Sequence, residues 1–166
     1  DSFRYLATDT RRITFPAETI FFALITTRRN GHQFIADAYA QGVRLFVVQA
    51  LPSEKMEEAV FLLVKNSLEA LQQLAAWHRS KLSCEVIGIT GSNGKTIVKE
   101  WLFELLENEQ HIVRSPKSFN SQIGVPLSVW MLQKNTTLGI IEAGISQRGE
   151  MALLQKIIQP TVGIFT

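Results

Sequence analysis

Long hydrophobic runs are missing from this chain of 166 residues: no stretch approaches the roughly 20 consecutive apolar positions that a bilayer span requires. The opening DSFRYLATDTRR also lacks the apolar centre of a signal peptide, so neither membrane insertion nor secretion is expected. Cysteine is nearly missing. Cys84 alone cannot form an intrachain disulfide or a cysteine metal cluster, which fits a reducing compartment and makes the cytoplasm the expected location. An excess of one charge is lacking too: 17 Lys+Arg stand against 15 Asp+Glu, a formal net charge of +2 with the signs interspersed. That excludes the broad positive footprint of a nucleic-acid or anionic-membrane binder. The pairs Arg11-Arg12 and Arg28-Arg29 have no interleaved aromatics to stack on bases, so nucleic acid is not an expected partner. Any anion must be captured locally.

What is present is globular: 46% apolar and 19% charged residues, enough for one domain or two small ones at about 150 residues per domain. The chain does not begin with Met, and it ends on a β-rich segment, Thr161 to Thr166, after the breaker Pro160. A piece of a longer protein is the expectation.

Leu45-Phe46-Val47-Val48 and Val60 to Val64 read as buried strands, with a helix between His32 and Gln41 that Gly42 closes. Ser67 to Leu82 carries a helical apolar face and is expected to bridge two units, the boundary falling after residue 82. From there strands and helices alternate. Strands are expected at Glu85 to Thr90, His111 to Arg114 and Leu138 to Glu142, and helices at Thr96 to Leu106, Pro126 to Leu132 and Glu150 to Ile158. Near-continuously apolar strands in serial β-α order imply an α/β fold with a parallel sheet covered on both faces.

The strongest chemical signal lies between the first of those strands and its helix, in Gly88-Ile89-Thr90-Gly91-Ser92-Asn93-Gly94-Lys95-Thr96. Glycines let backbone N–H groups curl around phosphate oxygens, the helix N-terminus adds partial positive charge, Lys95 reaches terminal phosphates and the Thr96 hydroxyl suits Mg2+. The general phosphate-loop pattern wants a glycine five residues before Gly94, where this chain has Ile89. The competing reading is a glycine-rich turn with a solvated lysine. Glu142 ends a parallel strand, where ligands of such sheets bind. It reads either as a Mg2+ ligand partnering Thr96 or as a solvated strand-end carboxylate.

Thr90 to Thr96 resembles the phosphate loop of the Mur ligases and their folylpolyglutamate synthetase relatives, which share the offset glycine. Lys99-Glu100, Asn120 to Leu127, Glu142-Ala143-Gly144-Ile145-Ser146 and Gly149-Glu150-Met151 resemble the MurF branch. In the first half, Asp9-Thr10-Arg11, Phe22-Ala23-Leu24, Asn30 to Ile35 and Ala38 through Gly42 resemble that branch's UDP-sugar-binding domain.

The resemblance implies a small N-terminal α/β substrate domain (1–82) followed by part of a P-loop NTPase-like parallel-sheet domain (83–166). It implies ATP and Mg2+ as cofactors, a monomer, and two small-molecule substrates, UDP-N-acetylmuramoyl-tripeptide and D-alanyl-D-alanine, joined through an acyl phosphate in peptidoglycan precursor synthesis. Thr90, Gly91, Ser92, Asn93, Gly94, Lys95 and Thr96 would hold nucleotide; Thr96 and Glu142 would hold metal; Lys95, Asn120 and Glu142 would serve the chemistry. Asn120 would lie near the transferred phosphate or the acyl end, or else cap its own loop. Asp9, Thr10, Arg11 and His32 would meet the nucleotide-sugar. For Arg11 the alternative is a surface salt bridge, and for His32 a hydrogen bond to its own turn. In the family, later segments supply further lysine and metal chemistry and a C-terminal domain, so this stretch alone is not expected to ligate. Ile25-Thr26-Thr27 stands where the family often has a glycine, leaving the shape of that loop open. Trp77, Trp101 and Trp130 are expected to be packing residues. The alternatives in function are another amide ligase of the same superfamily, folylpolyglutamate synthetase included, or a non-catalytic nucleotide-switch module.

Overall fold

The computed structural model describes residues 3–27 and 29–166; Asp1, Ser2 and Arg28, the last a member of one basic pair, lie outside them. Two compact units meet in sequence between Leu71 and Gln72.

The first unit is built on four strands, β1 (Tyr5–Ala7), β2 (Thr19–Phe22), β3 (Leu45–Val48) and β4 (Val60–Leu63), paired in parallel in that order. Phe21 lies opposite Phe46, and Phe46 opposite Phe61, so three rings cross the sheet in register. Phe46 and Phe61 stack at 5.0 Å, while Phe21 meets Phe46 edge-on at 6.2 Å. Helix α1 (Ile35–Ala40) buries Ile35 and Ala38 against this face, and Gly42, left-handed at φ 106°, ends it. The expected buried strand at Val60 is instead an edge: Val60, Leu62 and Leu63 are exposed. An apolar run reports that a strand forms and not how many neighbours it has. Strands β1 and β2 were not expected from the sequence.

Helix α2 (Ser67–Ser80) contains the division between units, upstream of the boundary after residue 82 that the sequence suggests. Its later residue Ala75 shares a core with Cys84 and Val86 of the second unit. That unit comprises β5 (Glu85–Thr90), α3 (Lys95–Leu106), β6 (Ile112–Arg114), α4 (Gly124–Trp130), β7 (Leu138–Glu142), α5 (Glu150–Ile158) and β8 (Val162–Phe165). Its sheet is parallel throughout, in the order β6-β7-β5-β8. Ile141 and Ala143 join a core with Val125 and Val129 of α4 and Leu154 and Ile157 of α5. Ile140 and Glu142, one step out of phase along β7, therefore face the other side, toward α3.

Arg79 of α2 is a buried cation whose partners among the described residues are all backbone carbonyls. It donates to Ile158 O (3.0 Å), Leu82 O (2.8 Å), Cys84 O (3.1 Å) and Gln159 O (3.2 Å), neutralising the carbonyl end of α5. Of the three tryptophans, Trp130 packs on His78 at 4.6 Å. Trp77 and Trp101 are 57% and 64% exposed among the described residues, contrary to the expectation that they pack.

Candidate functional site

The loop between β5 and α3 turns at Gly91 (φ 134°) and Gly94 (φ 82°), conformations that cost a residue with a Cβ dearly. Ile89, which fills the pattern's first glycine position, is a fully buried residue of β5. The offset has a plain cause: here the strand runs further before the turn begins. Gly94 caps α3 without a side-chain hydrogen bond, so the first turn of a helix of 12 residues presents its N–H groups uncapped by any side chain. Ser92, Asn93 and Gly94 are exposed, and Lys95 folds back to donate to Gly91 O at 2.7 Å. Residue Thr166 braces the loop from the side, accepting from the Ser92 N–H (3.2 Å) and donating its hydroxyl to Asn93 O (2.5 Å).

Register places Glu142 opposite Ile89, at the carboxyl ends of adjacent strands. The Thr96 hydroxyl donates to its Oε2 at 3.2 Å. Glu142 has no solvent exposure, which removes the solvated alternative. Its backbone N–H donates to Ser115 Oγ at 3.1 Å. Its Oε1 lies 3.0 Å from Lys99 Nζ, close enough for charge attraction but outside hydrogen-bond geometry, so this oxygen has no hydrogen-bond donor among the described residues. A buried carboxylate with one such oxygen beside a threonine hydroxyl is a hard, all-oxygen donor set that fits Mg2+. The described residues hold no group of three or more His, Cys, Asp or Glu able to bind a metal by themselves, so such an ion would complete its shell with phosphate and water.

Asn120 lies against Gly144, two residues beyond Glu142. Gly144 N donates to Asn120 O at 2.7 Å, and a Cβ at Gly144 would come within 3.0 Å of the Asn120 carboxamide. That carboxamide makes no hydrogen bond among the described residues. Further along, Glu150 Oε2 accepts from Ser146 N (2.5 Å), Ser146 Oγ (3.0 Å) and Gln147 N (3.0 Å). These backbone donors hold its carboxyl below the usual glutamate range.

In the first unit, the segments leaving the carboxyl ends of β1, β2 and β3 carry Asp9 to Arg11, Ile25 to Thr27 with Arg29 and Asn30, and Gln49-Ala50. Arg11 grips Asp9 with both Nε (3.0 Å) and Nη2 (2.6 Å), while Arg29 Nη1 approaches the same carboxylate at 3.4 Å. The Arg11 fork holds the Asp9 carboxyl far below its ordinary value. Thr10 is buried. Thr26 and Arg29 close the turn that replaces the family's glycine. A cavity of about 290 Å³ opens among Ile25, Asn30, His32, Gln49, Ala50 and Pro52. His32 lines it with both ring nitrogens engaged: Nε2 accepts from the Gln49 and Ala50 N–H groups (3.0 and 3.3 Å), and Nδ1 faces Asn30 Oδ1 at 3.1 Å. Two donors on Nε2 put the proton on Nδ1. Burial lowers the imidazole pKa.

Ser115 and Thr166 carry no signal in the sequence, because backbone topology sets their contributions. For Lys99 a signal existed: it follows Lys95 by four residues and Thr96 by three, the spacing that puts side chains on one face of a helix.

Residues 89–166 match the family model of the Mur ligase middle domain. The chain is 34% identical over 161 residues to the UDP-N-acetylmuramoyl-tripeptide--D-alanyl-D-alanine ligase of Bacillus subtilis (strain 168), taking in 97% of this chain and 35% of that protein. Among solved structures, MurF from Acinetobacter baumannii is similar with a TM-score of 0.88 at 30% identity, covering 98% of this chain and 35% of that one. MurF ligase from Thermotoga maritima in complex with ADP has a TM-score of 0.79 at 29% identity, covering 95% of this chain and 36% of that one. The chain thus spans about a third of the length of the relatives it matches.

Proposed function

Because the chain belongs to the Mur ligase family, we propose that it is part of an ATP-dependent ligase that joins D-alanyl-D-alanine to UDP-N-acetylmuramoyl-tripeptide in peptidoglycan precursor synthesis. The observation that carries this reading is the contact of Thr96 with the buried Glu142 behind an uncapped, glycine-turned loop. In the reaction, the terminal phosphate of ATP passes to the tripeptide's terminal carboxylate, leaving ADP and an acyl phosphate. The amine of D-alanyl-D-alanine then displaces phosphate and forms the amide.

Two anions must approach each other, so charge control is the central task. The N–H groups of the loop and of the first turn of α3 fix the phosphates. Lys95 exchanges Gly91 O for a phosphate oxygen. Thr96 and Glu142 would hold Mg2+, which when bound neutralises the triphosphate and orients it for in-line attack. Asn120, with its carboxamide uncommitted, turns toward the transferred group. The first unit takes the UDP-sugar at the carboxyl end of its sheet, where His32 shapes the cavity wall and Asp9 orders Arg11 and Arg29. The protein acts as a cytoplasmic monomer on these small molecules.

Phosphate release by the intact protein tests the reading. Release should require both UDP-N-acetylmuramoyl-tripeptide and D-alanyl-D-alanine; release driven by a folate and glutamate would overturn it.

A further inference from the structure

Lys99 is a buried cation to which the proposed reaction assigns no step. It has no solvent exposure, and its Nζ lies 2.9 Å from Ser115 O, 2.5 Å from Lys117 O, and 3.0 Å from both Glu100 Oε1 and Glu142 Oε1. An ammonium has three protons. Two serve the carbonyls, leaving two carboxylates to share what remains, which is why Oε1 of Glu142 receives charge without a directed hydrogen bond. Glu100 is balanced on its other side by Arg114 Nε at 2.9 Å, so two cations and two carboxylates form a neutral group.

The four partners come from segments that converge on the nucleotide loop. Lys99 itself stands one helical turn beyond Lys95 and Thr96 on α3. Ser115 and Lys117 begin the stretch that leads to Asn120, and Glu142 ends β7. One ammonium thus ties the helix behind the phosphate loop to both of the other segments. Without it the Glu142 carboxylate keeps only the Thr96 hydroxyl among the side chains named here, and it can rotate or swing away.

We infer that Lys99 is a positioning residue: it holds Glu142 with Oε2 aimed at Thr96 and a buried Oε1 that no hydrogen-bond donor claims, the carboxylate geometry a metal–nucleotide complex needs, and fixes the Ser115–Lys117 segment at the same point. The inference rests on the nucleotide reading above. It separates Lys99 from residues that only stabilise the fold, because it ties Lys99 to the metal-dependent part of nucleotide affinity.

The test is calorimetric titration of the intact protein with ADP, in excess Mg2+ and again in chelator, for the wild type and Lys99→Met. The Mg2+-dependent gain in ADP affinity should fall about tenfold or more in the variant. Affinity in chelator, set by the loop N–H groups and Lys95, should stay within about twofold. If Lys99→Met fails to fold, Lys99→Gln, whose amide keeps two donors for the Ser115 and Lys117 carbonyls, carries the same expectation. An unchanged Mg2+-dependent gain in a folded variant, a parallel loss with and without metal, or unfolding of both variants would overturn the inference. Failure of the wild type to bind ADP under either condition would sink the nucleotide reading itself, a distinct result.

Discussion

The Thr96 hydroxyl and Glu142 Oε2 meet at 3.2 Å, linking the first turn of α3 to the end of β7 beneath the phosphate loop. The contact gives the carboxylate direction, while its charge is balanced on the other oxygen by Lys99 at 3.0 Å. Replacing Glu142 by Ala should raise the Mg2+ concentration needed for half-maximal phosphate release by about tenfold or more. A Mg2+ titration that superposes on the wild type would exclude Glu142 from the metal site.

Among the described residues Lys95 makes a single polar contact, with the carbonyl of Gly91 in its own loop. Little stability can reside there, whereas a transition state spread over phosphate oxygens needs the ammonium. Lys95→Ala should lower the turnover rate by on the order of 100-fold to 1,000-fold and change folding stability by no more than about 0.5 kcal/mol. Phosphate release and thermal melting on the same preparation separate the two effects.

The second unit was legible because its strands are mainly apolar runs and several of its connections carry a breaker, such as Gly91 and Gly94 before α3, Pro116 after β6 and Pro160 before β8. The sharp turns of the loop before α3 were legible in Gly91 and Gly94, whose left-handed conformations few other residues adopt. The burial of Lys99 was not. A lysine on a helix is usually solvated, and only the placement of Ser115 and Glu142 around it by the sheet order makes it a buried centre. In the first unit, β1 and β2 were not legible, and the contact of Arg11 with Asp9 depends on a short turn that composition does not specify.

Arg79 should be a stability residue without a part in the reaction. Its guanidinium satisfies four carbonyl groups in a buried place, and truncation would leave them unpaired. Arg79→Ala should cost on the order of 2–4 kcal/mol in chemical denaturation. A loss below about 1 kcal/mol would mean that water or neighbouring donors replace it.

His32 links the cavity of the first unit to pH. Its Nε2 accepts from two backbone N–H groups, so a proton there would oppose two donors, and burial lowers its pKa from the ordinary 6.5. The unfolded chain then takes up a proton at higher pH than the folded one. Stability is therefore fully present above about pH 6.5 and declines as the pH falls through the lower folded value. Melting of the wild type should drop between pH 7.5 and pH 5, and this part of the drop should vanish in His32→Asn. His32→Ala should cost about 1–2 kcal/mol at neutral pH, because the Gln49 and Ala50 N–H groups lose their acceptor in a partly buried site. If His32 instead touches the substrate directly, His32→Asn will abolish binding of UDP-N-acetylmuramoyl-tripeptide. If it shapes the wall, as its two occupied nitrogens argue, the Asn variant will bind within about tenfold of the wild type and the Ala variant more weakly.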